Sequence, residues 1–225
     1  MVGQIFIRHS QKCSVLQRWR PDSKTAPNDV VFQLLELSRM FISNDAREVA
    51  IDEIHDRRIS ICHCRLISLS IEYNIDKLFI YAFKRLVKAR LDDLTPDEHA
   101  MLHLHLWAAI LKAQSTLQIH RRIVACESPA INHVADCLDT DNCSLDWHQL
   151  WWNVMGCSLL DGRNPQPYKD AVQRFEQTVL TNKIGKIFPE CLCSVMATIR
   201  DEAAFNQEDE FIDCAARKWA AKLLT

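Results

Sequence analysis

The residues of this chain with the most specific chemistry to offer are its nine histidines and ten cysteines. Two groups of them have spacings that suit a metal ion. The first is His99, His103 and His105. Residues at i and i+4 share a helix face, so His99 and His103 could bind one divalent metal such as zinc, with Asp97 or Glu98 nearby to accept a proton from a bound water. Leu106, Ile110 and Leu117 lie further along that face, which is therefore expected to point inward. His105 points elsewhere. Two ligands do not make a site, and a pair of partly buried, hydrogen-bonded histidines accounts for the same spacing.

The second group is Cys126, His133, Cys137, Cys143 and His148. His133 and Cys137 again stand four apart, and thiolate and imidazole are both good zinc ligands. The spacing lacks the Cys-x-x-Cys knuckle of a typical zinc module, and ordinary packing thiols in a cysteine-rich chain explain it equally. The pairs Cys62/Cys64 and Cys191/Cys193 are set aside, because residues two apart on a helix point to nearly opposite sides.

Aromatic and basic groups follow. Trp147 and Trp151 share one helix face, while Trp152 and Gly156 share another, where the glycine admits a close neighbour. Three tryptophans around one turn cannot all point the same way, so at least one is expected to reach the surface. Together with Arg163 and Tyr168 in the adjacent turn segment 161–168, they form the expected partner-binding surface, with inter-helix core as the plainer alternative. Lys77, Lys84 and Lys88 form a basic stripe with Arg85 beside it. Such a stripe is either a solvated face or a nucleic-acid contact; Asp92 and Asp93 close by weaken the second.

Several chemistries are excluded outright. The four glycines stand at 3, 156, 162 and 185, so no dinucleotide fingerprint, Walker loop or nucleophile elbow can be assembled. The Asp139–Asn142 stretch lacks the glycine of a calcium loop and has Leu150 where a glutamate belongs. His55-Asp56 is a doublet that metal-dependent helical phosphohydrolases use. They need further ligands on neighbouring helices, and His9 is the only earlier histidine.

These residues must be positioned by helices. Glycine scarcity removes most hairpin-based architectures, and helix-start signals recur throughout. Helices are expected from 28 to about 42, from Asp45 to about 58, from 59 to 73, from Asn74, and from the capping box Thr95-Pro96-Asp97-Glu98 past Leu117. Others should begin at Ser128-Pro129, Ser144, Pro167, Pro189 and Asn206. The fold class is all-α, a globular multi-helix bundle of roughly ten helices; the alternative is an irregular array of helical hairpins. An N-terminal arm over 1–27 would precede a single domain over 28–225, with a subdivision near 161–168 as the weakest point.

Hydrophobic residues make up 48% and charged residues 25%, the proportions of a folded globular protein. The net charge of −2 conceals an asymmetry: residues 1–125 carry an excess of four basic groups, and residues 126–225 an excess of six acidic ones. Free thiols and the lack of a secretory h-region point to a reducing, cytoplasmic setting with no membrane association. The function expected from all this is a non-enzymatic adaptor, inhibitor, immunity factor or regulatory subunit. It would need no cofactor and would act on a protein partner or on a second copy of itself. A metalloprotein or hydrolase centred on His99 and His103, and a nucleic-acid-binding protein, are the alternatives.

Overall fold

In the computed structural model the described residues are 27–162, 164, 166–181, 187–201 and 207–224. Arg163, the 1–26 segment and the proposed start at Asn206 lie outside them. The described residues contain helices and no strand. They are α1 (Asn28–Met40), α2 (Asn44–Asp56), α3 (His63–Glu72), α4 (Asp76–Lys88), α5 (Pro96–Met101), α6 (Leu104–Cys126), α7 (Thr140–Trp151), α8 (Tyr168–Thr181), α9 (Pro189–Asp201) and α10 (Glu208–Leu223). The expected all-α class with about ten helices is what the chain forms. Among the described residues no helix is long and apolar enough to cross a membrane.

The chain divides into two compact units. Of the described residues, the first comprises 27–82, 95–101 and 224. Its core is built from Leu35 of α1, Ala50 and Ile54 of α2, Leu66 and Ile67 of α3, and Leu78 and Phe79 of α4, all fully buried. The deep position expected for the 59–73 segment is thus occupied by α3, although its helix starts only at His63. Asn74 ends α3 rather than opening the next helix. It takes a left-handed φ of 54°, and the Ile75 amide closes back on the Ser70 carbonyl at 2.8 Å.

The Thr95/Glu98 box forms as read: the Thr95 amide donates to Glu98 Oε2 at 2.8 Å and the Glu98 amide to Thr95 Oγ1 at 3.3 Å. The helix it opens is short. The chain leaves helical geometry after Met101, and His103 is extended at ψ 151° before α6 begins. The break coincides with the boundary between the two units.

The second unit comprises residues 83–94 and the described residues from 102 to 223. Its centre is an aromatic trio, Trp147, Trp151 and Phe175, with ring centroids 5.8–6.0 Å apart. Around it pack Val124, Met155, Leu159, Ala171 and Val195. Directly after α7 the chain continues through a π-helical stretch at Trp152–Gly156. A Cβ on Gly156 would stand 2.9 Å from Trp152 Cε3, so the close neighbour that this glycine admits is the Trp152 ring. The C-terminus of α4 is capped from α6: Gln114 Nε2 donates to the Val87 carbonyl at 3.2 Å and to the Ala89 carbonyl at 3.0 Å.

Charge ties α10 into this unit. Glu208 accepts from Arg121 of α6 at 2.6 and 3.3 Å, in a pair whose side chains are only 7% and 10% exposed. Asp209 meets Lys88 at 2.7 Å and Asp213 meets Lys84 at 2.6 Å. The Lys88 hydrogen bond holds the Asp209 carboxyl below its ordinary range. Its stabilising effect is therefore present above about pH 4 and fades as pH falls through the lowered value. Removing one partner of a buried pair strands the other charge. Glu208→Gln should cost about 3 kcal/mol or more in urea unfolding, against under about 1 kcal/mol for Asp209→Asn at its half-exposed pair.

Candidate metal centre

Helix α6 ends at Cys126, and residues 127–139 cross to α7 without regular structure. The helix expected from Ser128-Pro129 does not form. The Ser128-Pro129-Ala130 stretch has no regular structure, and indole groups of α7 hold the chain there: Trp147 Nε1 donates to the Pro129 carbonyl at 2.8 Å, and Trp151 Nε1 to the Val124 carbonyl at 3.1 Å. A tight turn then closes, with the Cys137 amide on the Val134 carbonyl at 3.0 Å. That turn, not a helix face, brings His133 and Cys137 together.

The next donor, Cys143, lies in the first turn of α7. This helix starts earlier than Ser144 because Asp139 caps it, accepting from the Asn142 amide at 3.2 Å. The acidic stretch weighed as a calcium loop is thus a helix cap. Cys191 occupies the first turn of α9, two residues after Pro189.

His133, Cys137, Cys143 and Cys191 present one ligand atom each, all within 4.8 Å of one another. It is the one group of three or more potential metal ligands brought together among the described residues. Cys143 and Cys191 are 1% and 0% exposed, and Cys137 is 8% exposed. His133 Nδ1 faces two sulfurs, Cys137 Sγ at 3.5 Å and Cys191 Sγ at 3.8 Å. Zinc bonds of about 2.3 Å to sulfur and 2.0 Å to nitrogen give tetrahedral edges of about 3.5 Å for S···N and 3.8 Å for S···S. The histidine–sulfur edges already match, and the widest edge needs to close by about 1 Å.

Two backbone amides point at the sulfurs. The Val134 amide donates to Cys191 Sγ and the Phe188 amide to Cys143 Sγ, each at 3.4 Å. Both of these cysteines stand at helix N-termini, whose partial positive charge stabilises a thiolate. The far side of the imidazole is held too, with His133 Nε2 2.9 Å from Ser144 Oγ. That contact leaves Nδ1 as the ligand atom, the outer-shell arrangement by which proteins orient metal-binding histidines. In the metal-free protein the Cys137 thiol is pushed up to about 11 by burial first, then by hydrogen bonding to Cys191 and Cys143.

Other expected site residues fall elsewhere. His99 and His103 do not share a helix face, because the helix breaks between Met101 and Leu104; both are exposed, as is His105. Of the second group, Cys126 is exposed and His148 hydrogen-bonds Ser128 through Nδ1, so neither reaches the cluster. Trp147 and Trp151 are 0% and 1% exposed, and Tyr168 is 4% exposed. Burial takes all three out of direct partner contact and makes them core. Trp152 does reach the surface, at 49%. In the basic stripe Lys84 and Lys88 are matched by Asp213 and Asp209, leaving Lys77 and Arg85 exposed.

Cys191 and Ser144 were not anticipated. Cys191 had been weighed only against Cys193, although its place just after a proline at a helix start parallels that of Cys143 after its cap. The chain matches no family model, no curated protein and no solved structure.

The loop's dependence on α7 is testable without metal. Trp147→Phe keeps the ring but strands the Pro129 carbonyl. It should cost about 1–3 kcal/mol and accelerate amide hydrogen exchange across 127–139 more than in α8.

Proposed function

We propose that this protein is a zinc-holding, non-catalytic helical protein that acts by binding a protein partner. The metal would be structural and bound by His133, Cys137, Cys143 and Cys191. One observation supports the reading above all: an imidazole nitrogen and three sulfurs, from a loop and two helix starts, all lie within 4.8 Å of one another. Three thiolates and one imidazole are a zinc-selective donor set. The compact spread suits a single ion rather than a cluster whose ligands divide between two irons.

The same donor set bears on catalysis. Catalytic zinc keeps a coordination position for water or substrate, whereas four protein ligands fill a tetrahedral ion. Cys143 and Cys191 lie in the packed core beside Trp147, where no substrate has access. A zinc ion there would join the 127–139 loop to the first turns of α7 and α9. Its work would be to fix the surface this unit offers a partner. The thiols of the cluster are free, as ligands require, and the reading presumes a reducing compartment.

The test is metal counting on untagged protein expressed with zinc and purified under reducing conditions, by native mass spectrometry and elemental analysis. One zinc per chain is expected. Cys143→Ser should lose it, and melting should fall by about 2–4 °C for each kcal/mol lost. Ser144→Ala should keep the stoichiometry but bind about 10–100-fold more weakly in competition with a chelating dye. A metal-free protein that is folded and unchanged by Cys143→Ser, or one with a disulfide among Cys137, Cys143 and Cys191, would overturn the proposal.

A further inference from the structure

A second feature of the same unit shares no residue with the metal ligands. Along α6 and α10 runs an open groove of about 460 Å³. Ala108 and Ala113 of α6 and Cys214 and Ala215 of α10 give it small side chains, while Phe211 and Trp219 form larger apolar walls. Lys112, Lys218 and Lys222 stand around it. Lys222 lies over the Trp219 ring, its Nζ 4.8 Å from the centroid, which keeps the ammonium beside the apolar surface.

The charge around this groove is unlike that on the rest of α10. Glu208, Asp209 and Asp213 are each spent on a basic partner, Arg121, Lys88 and Lys84. Among the described residues, Lys112, Lys218 and Lys222 form no ion pair within 4 Å. An apolar trough flanked by three uncompensated ammonium groups is complementary to a surface that is apolar in the middle and acidic at its edges.

We infer that the α6/α10 groove binds an acidic amphipathic helix of a partner protein. Residues 211–222 of α10 span about 16 Å, room for about three turns of a helix laid along them. Small floor residues permit close approach, and apolar anchors at i, i+4 and i+7 would reach the floor while flanking carboxylates meet the lysines. The groove is open along its length. It can cover one face of a helix, whereas an acyl chain needs enclosure over most of its surface. This chain's own segments are poor occupants. Residues 1–21 carry Arg8, Lys12, Arg18 and Arg20 and no acid, and three of the four acids of a second copy's α10 are already paired.

This inference gives the partner-binding part of the proposed function a location, and its test is separate from that of the metal. The full chain, with its metal content measured, is titrated with a synthetic amphipathic peptide of leucine and glutamate, about 14 residues long. The matched control has lysine in place of glutamate. Saturable binding of the glutamate peptide is expected, with affinity falling roughly tenfold or more in Lys218→Glu/Lys222→Glu while circular dichroism and zinc content stay unchanged. Cys214 reports position. Bound peptide should slow its alkylation, read by peptide mass mapping, and leave Cys126 and Cys157 reactive. Equal binding of both peptides, binding that survives the charge reversal, or no protection at Cys214 would each overturn the inference, as would tighter binding of oleate than of the glutamate peptide.

Discussion

The cysteine cluster of the second unit depends on how residues 127–139 are held. The segment has no ladder or helix to satisfy its backbone, and ordering it costs about 1–2 kcal/mol per residue in conformational entropy. What opposes that cost comes from outside the segment. Two indole N–H groups of α7 bind the carbonyls of Pro129 and, at the end of α6, Val124. The Val134 amide finds the sulfur of Cys191, a residue 57 positions away. The aromatic trio behind α7 fixes where those indoles point. The tryptophans therefore serve as fasteners for the loop, and their burial is the condition for doing so.

The sulfur cluster follows from the same arrangement. Helices α7 and α9 each bring a cysteine in their first turn to the loop, so two positive helix ends and two amide donors converge on the thiols. A neutral thiol is a weak acceptor and gains little from such surroundings. A thiolate gains a great deal, yet three thiolates within 4.8 Å would repel one another strongly without a cation between them. Amide donors aimed at sulfur and a spacing that forbids several bare charges would be reconciled by one divalent ion, as the zinc proposal requires.

What was legible in the sequence was short-range. The Thr95/Glu98 box was read correctly because its hydrogen bonds span three residues. The shared face of Trp147 and Trp151 was right as a periodicity; that it points inward was decided by Phe175, on another helix. His133 and Cys137 were rightly paired by their spacing, although a turn and not a helix joins them. The His99/His103 pairing failed because helical periodicity presumes an unbroken helix, and local pattern gave no sign of the break at Leu102. Cys191 could not be assigned by spacing at all, since its nearness to His133 is set by the packing of α9 on the loop across 58 residues.

The charge asymmetry between the halves of the chain also acquires a structural meaning. Three acids from the acidic half, Glu208, Asp209 and Asp213 of α10, meet Arg121, Lys88 and Lys84 of the basic half. A stripe that looked available to nucleic acid is thereby largely consumed in holding the C-terminal helix. The pairing is confined to the start of α10. Further along, Lys218 and Lys222 line an apolar groove that they share with Lys112. Acids in the first turn and bases toward the last turn both suit the helix dipole, so the order of charges along α10 needs no partner to explain it. What the dipole does not account for is the apolar groove beside those lysines, where Phe211 is left partly exposed.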